Sequence, residues 1–106
     1  MEFLTEKKGD DADDVTFTVT IRGEFDAKTA PEVRDKLDEI VDAKPKRVIV
    51  DLSGLRLIDS TGVGGIVSLF KRTRANGGAF EVVGIQGQPR QIFQVLRLDR
   101  VFGLES

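Results

Sequence analysis

From Val15 onward the apolar residues fall on every second position, Val15, Phe17, Val19 and Ile21 alternating with Thr16, Thr18, Thr20 and Arg22. That is the period of a strand covered on one face. The period then changes. Ala30, Val33, Leu37, Ile40 and Val41 recur at three- and four-residue steps, with Glu32, Asp35, Lys36, Asp38 and Glu39 between them, the pattern of an amphipathic helix. Asp26 or Thr29 can cap this helix and Pro31 suits its first turn. Lys44-Pro45 stops it, and Val48-Ile49-Val50 with Leu52 reads as a short central strand buried on both faces. A strand, a helix and a second strand in succession demand a crossover connection, which is right-handed in almost all sheets.

The rest of the chain extends this scheme. Phe3 to Lys7 reads as a strand joined to the first through Gly9 to Asp14, a loop too polar to bury. A helix is predicted from Ser60 to Asn76, because Val63, Ile66, Val67 and Phe70 mark one face and Asn76-Gly77-Gly78 supplies a stop. Phe80 to Val83 is a further strand, Pro89 opens a helix carrying Ile92, Phe93, Val95 and Leu96, and Val101-Phe102 is expected as a final short strand. The expected fold class is α/β: residues 1–106 as a single domain, with a mixed four- to five-stranded sheet, an N-terminal hairpin and three to four helices. The loops at the strand C-terminal ends gather on one side, and that from Leu52 to Asp59, leading into Ser60, is where a site should lie.

Composition removes most chemistries. The chain has no cysteine and no histidine, so disulfides, thiolate catalysis, imidazole bases and the usual zinc sites are excluded, and no metal or cofactor is expected. Seven phenylalanines are its only aromatic residues and form no evident stacking platform for nucleic acid. No apolar run reaches the roughly 18 residues of a membrane span, and Met1 to Asp14 is charged where a signal peptide would be apolar; a cytoplasmic location away from the membrane is expected. Residues 1–59 carry 10 basic and 15 acidic side chains and residues 60–106 carry 6 and 3, giving −5 and +3. These read as solvated faces, with Lys71, Arg72 and Arg74 complementing the end of a helix dipole.

The informative segment runs from Asp51 to Gly65, a buried strand and a loop followed by Asp59-Ser-Thr-Gly-Val-Gly-Gly65. Glycine inside a helix costs up to about 1 kcal/mol against alanine, so Gly62, Gly64 and Gly65 together weaken theirs by ~2–3 kcal/mol. Two compensations are open: close packing of the first turn on its surroundings, or an uncluttered surface that leaves Ser60 accessible. Asp59, Ser60 and Thr61 are all ordinary cap and first-turn residues. A phosphate on Ser60 would nevertheless be well placed, because free N–H groups and the helix dipole favour an anion there. It would add about −1.5 to −2 charges beside Asp59. Ser60 as a nucleophile fails for want of a base. The glycines match neither phosphate-loop spacing, and Asp10-Asp11-Ala-Asp13-Asp14 lacks the ligand spacing of a calcium loop and reads as a solvated turn.

These segments resemble the STAS domain family, and in particular its small bacterial members, the anti-sigma factor antagonists. Gly23-Glu-Phe-Asp26-Ala-Lys-Thr-Ala-Pro31 is similar to the family's segment from strand to first helix, Val48-Ile-Val-Asp-Leu52 to its central strand, and Ile58-Asp-Ser-Thr-Gly-Val-Gly64 to its signature loop, with Val63 where leucine is commoner. The resemblance implies a STAS-like fold and a phosphorylation site at Ser60. It also implies partner switching: the unphosphorylated form binds an anti-sigma factor serine kinase, which frees the sigma factor; phosphorylation of Ser60 ends the interaction, and a serine phosphatase restores it. The protein would be a substrate and not an enzyme. Asp26, Asp59, Ser60, Thr61, Gly62 and Gly64 would form the partner-binding surface. The alternative is a non-phosphorylated STAS subunit of a transport or stress-sensing complex, with Ser60 merely a cap. A third reading, nucleotide binding at the loop after Leu52, follows from sheet topology alone.

Overall fold

The computed structural model describes residues 1–9 and 14–104; Asp10 to Asp13, most of the acidic run, lie outside the described residues. Its longest strand, β2 (Thr16–Phe25), organises the sheet. Along one edge it pairs antiparallel with β1 (Glu2–Lys8), from Glu2 opposite Arg22 to Lys8 opposite Thr16, which is the expected hairpin. Along the other edge it serves two strands in turn. Thr16 to Thr20 pair parallel with β3 (Arg47–Asp51), and Gly23 to Phe25 pair parallel with β4 (Leu55–Ile58). β5 (Ala79–Val83) adds parallel to β3, completing five strands in the order β1-β2-β3-β5 with β4 on the far half of β2.

β4 corrects the expectation of an uninterrupted loop from Leu52 to Asp59. β2 runs past Arg22 to Phe25 and so leaves free edge beyond the end of β3. Gly23 takes a positive φ of 90° that L side chains rarely adopt; there the register shifts and Gly23 N–H donates to Gly54 O at 2.9 Å. The turn at Leu52 to Gly54 thus returns the chain to the same strand.

Cross-strand rows decide which face is covered. Val19, Val50 and Val82 form one row and Phe17, Val48 and Phe80 the next, and Val19, Val48 and Val50 are fully buried within the core. Most of the helical share of that core comes from α1 (Ala30–Asp42) through Val33, Leu37, Ile40 and Val41, and from α2 (Ser60–Ala75) through Val63, Ile66 and Leu69. Arg72 donates to Asp38 at 2.8 Å and joins the two helices. The opposite face carries the row Thr18, Ile49, Glu81, and Arg47 and Glu81 pair across it at 3.0 Å. β3 is therefore central in the sheet but buried on one face only, because the polar neighbours of Ile49 leave it half-exposed.

After β5 the chain forms α3 (Gly87–Val95), turns at Arg97 in the left-handed region, and continues as α4 (Leu98–Val101). Val101-Phe102 is thus the end of a helix and not the expected strand. Phe102 packs against Phe70, Phe80 and Phe93 with ring centroids 5.1 Å, 5.6 Å and 5.7 Å away. An aromatic residue burying itself in such a cluster gives the same short apolar signal as a strand.

Candidate functional site

β2 and β4 end side by side, and their ends hold the start of α2. Asp59 N–H donates to Phe25 O at 3.2 Å, and Asp59 O accepts from Val63 N–H at 2.9 Å. The Asp59 side chain is the N-cap: extended at φ −113°, it accepts from Gly62 N–H at 3.0 Å through Oδ1. Its other oxygen, Oδ2, accepts from Ala27 N–H at 3.1 Å. One carboxylate therefore closes the first turn of α2 and ties it to the turn between β2 and α1. The Gly62 N–H, which stabilises the charged form, holds this carboxyl below its ordinary value of 3.8; partial desolvation opposes the effect and the Ala27 and Thr61 N–H groups reinforce it.

Capping by Asp59 leaves Ser60 without that duty. Ser60 is the first residue of α2, its side chain is exposed, and among the described residues nothing forms a hydrogen bond with its hydroxyl. Thr61, next to it, is also exposed.

The three glycines divide between the two compensations. A Cβ on Gly62 would lie 2.2 Å from Phe25 O and 2.7 Å from Ile58 Cγ1, and one on Gly65 would lie 2.9 Å from Phe25 Cζ, whereas one on Gly64 meets nothing within 4 Å. Gly62 and Gly65 let the helix close on the end of β2. Gly64 faces open space and keeps the surface beside Ser60 bare.

Asp26 is employed locally. Its Oδ1 accepts from Lys28 N–H and Thr29 N–H at 3.0 Å and from the Thr29 hydroxyl at 3.1 Å, while Asp26 N–H donates to Thr29 Oγ1 at 3.0 Å. Neither residue caps α1 through a side-chain bond to a helical N–H. Together they fix the turn that presents Ala27 to Asp59. All six residues singled out in the sequence thus lie at or next to one junction, with Asp26 reaching it through its turn.

Sequence reasoning missed Gln88. Its Oε1 accepts from Ile58 N–H and its Nε2 donates to Ile58 O, both at 2.9 Å. The amide acts as a neighbouring strand would, satisfying the outer edge of β4 two residues before Ser60. A glutamine at a helix start carries no sequence signal for such a contact. The turn after Leu52 is exposed but braced by the chain after β5: Gln86 Nε2 donates to Ser53 O at 3.0 Å, and a Cβ on Gly84 would come within 2.8 Å of Ser53 Cβ. A groove of about 310 Å³ lies instead between α1 and α2, lined among others by Phe25, Arg34, Thr61 and Gly65. Among the described residues no helix is long and apolar enough to cross a membrane, and no group of His, Cys, Asp or Glu could hold a metal ion.

Comparison with known proteins agrees with this architecture. The model of the STAS domain matches residues 6–106. The anti-sigma-B factor antagonist of Listeria monocytogenes is 29% identical over 107 aligned positions, which cover 100% of this chain and 91% of that protein. Among solved structures, an anti-sigma factor antagonist from Mycobacterium paratuberculosis superposes with a TM-score of 0.76 at 24% identity, covering 95% of this chain and 83% of the other. The phosphorylated form of the Bacillus cell fate determinant SpoIIAA gives 0.68 at 19% identity, covering 92% and 86%. A five-stranded mixed sheet with four helices is the fold these share, and the chain belongs to the STAS domain family.

Proposed function

We propose that this chain is an anti-sigma factor antagonist switched by phosphorylation of Ser60. Unphosphorylated, it binds an anti-sigma factor serine kinase and so releases the sigma factor; phosphorylated, it does not bind, and a serine phosphatase resets it. The cycle belongs in the cytoplasm, and the chain is its substrate and not an enzyme.

The observation that carries this reading is the Ser60 hydroxyl, exposed and, among the described residues, without a hydrogen-bond partner at the head of α2 because Asp59 does the capping. Asp59, Thr61, Gly62 and Gly64 shape the surface around it, and Asp26 steadies the adjoining turn. A phosphate there brings about −1.5 to −2 charges beside the Asp59 carboxylate. A kinase surface packed against the unmodified turn then meets a bulky, hydrated anion for which it has no partner, and burying an unpaired charge at an interface is costly.

The test is incubation with the organism's anti-sigma factor serine kinases and ATP, followed by mass spectrometry and binding measurements. One phosphate on Ser60 is expected, with Ser60→Asp losing kinase binding and Ser60→Ala retaining it. A chain left unmodified at Ser60, or bound equally well as Ser60→Asp, refutes the proposal.

A further inference from the structure

β1 ends the sheet: it pairs with β2 along one edge, and among the described residues no element pairs with the other. Of its seven residues only Phe3 is shielded, and Leu4 is 48% exposed. An open edge of this length is a template for another strand, and lysines on an edge ordinarily deter such pairing. The order of charges in Glu2-Phe-Leu-Thr-Glu-Lys-Lys8 has the opposite effect when the strand meets its own copy.

We propose that β1 is a homodimerisation edge, pairing antiparallel with β1 of a second copy about a two-fold axis at Thr5. A two-fold axis that extends the sheet stands normal to it, so equivalent side chains stay on the same face and the axis must pass through a residue position. Few registers remain. Centring on Leu4 sets Glu2 against Glu6, and centring on Glu6 sets Glu6 against itself. Centring on Thr5 sets Glu2 against Lys8, Phe3 against Lys7 and Leu4 against Glu6, with no like charges opposed. In that register the two Leu4 side chains are diagonal neighbours on the open face and cover one another. Lys8 is available for the exchange, since its ion pair with Glu6, at 3.9 Å, is between exposed side chains. The result is one continuous sheet with both helical layers on the same side.

The natural chain has no cysteine, so single cysteines report the register directly. In sedimentation velocity the wild type should shift from monomer to dimer as concentration rises toward about millimolar. Thr5→Cys should form a disulfide-linked dimer under mild oxidation, its facing Cβ atoms lying about 4.5–5.5 Å apart. Lys8→Cys should not, because six residues of strand, roughly 20 Å, separate it from its own copy. Lys8→Glu should weaken the dimer about tenfold, and the double variant Glu2→Lys, Lys8→Glu should restore it. A wild type that stays monomeric at about millimolar concentration, larger polymers in place of dimers, equal cross-linking at Thr5 and Lys8, or no recovery in the double variant each overturns the proposal.

Discussion

Alanine at Gly62 and at Gly64 should move stability in opposite directions, although the two positions are two residues apart on one helix. On propensity alone each substitution gains up to about 1 kcal/mol. At Gly64 nothing lies within 4 Å of the new methyl, so most of that gain should appear as stabilisation. At Gly62 the methyl would sit 2.2 Å from Phe25 O and 2.7 Å from Ile58 Cγ1. Carbon and oxygen normally stay roughly 3.3 Å apart or more, so the carbonyl must retreat by about 1 Å. That carbonyl also accepts the Asp59 N–H, so its retreat opens the junction between β2 and α2. Overpacking a rigid site costs about 1–3 kcal/mol, and two simultaneous overlaps belong at the upper end. After the helical gain is subtracted, Gly62→Ala should be destabilised by about 2 kcal/mol and Gly64→Ala stabilised by up to about 1 kcal/mol. Urea titration reads both from the midpoint, provided the slope is unchanged, and melting temperatures should differ by at least about 10 °C. A Gly62→Ala protein as stable as Gly64→Ala would refute the division of the glycines.

Two further substitutions probe the same junction. The Asp59 carboxyl titrates below its ordinary 3.8 in the folded chain, so its contribution to stability is complete above that value and is lost as pH falls through the folded pKa. Asp59→Asn should therefore flatten the acid side of the stability curve below about pH 5, measured by urea titration from pH 7 downward; an acid limb as steep as the wild type's would contradict this. Gln88→Ala should release both backbone groups of Ile58 to solvent, costing about 1 kcal/mol and speeding hydrogen exchange of the Ile58 amide. Unchanged exchange there would show that the clamp does not hold the edge of β4.

The parts of the fold legible in the sequence are those where one physical period acts alone. β2 alternates because one face is covered, α1 keeps a clean apolar stripe, and Asn76-Gly77-Gly78 ends α2 where expected, with Asn76 its C-cap. β4 was not legible because Leu55 and Ile58 are buried while Arg56 and Leu57 are exposed, a sequence of burial with neither period. Its existence depends on the free far half of β2, a tertiary circumstance. Val101-Phe102 misled for the converse reason, since burial of Phe102 comes from aromatic contacts and not from a sheet. At the site, the residue types at positions 59 to 61 permitted any of the three to cap α2. Only the geometry assigns the cap to Asp59, and that assignment separates Ser60 from structural duty.

The Asp59 cap also constrains how a phosphate on Ser60 would sit. A helix N-terminus attracts anions through unpaired N–H groups and its dipole, but here the Gly62 N–H is already engaged by Asp59 Oδ1 and the Ala27 N–H by Oδ2. A phosphate could take the Gly62 donor only by displacing a charged carboxylate that also anchors the turn between β2 and α1. It is therefore expected to stand outward, held by the dipole yet repelled by Asp59, changing the surface and leaving the fold in place. The repulsion is measurable. A like charge nearby disfavours the dianion and raises the second phosphate pKa from its usual value of about 6. In the phosphorylated protein carrying Asp59→Asn, the 31P titration midpoint should fall to a lower pH than in phosphorylated wild type. Coincident midpoints would mean that the phosphate has left the neighbourhood of Asp59, and the switch would then have to work by rearranging the turn.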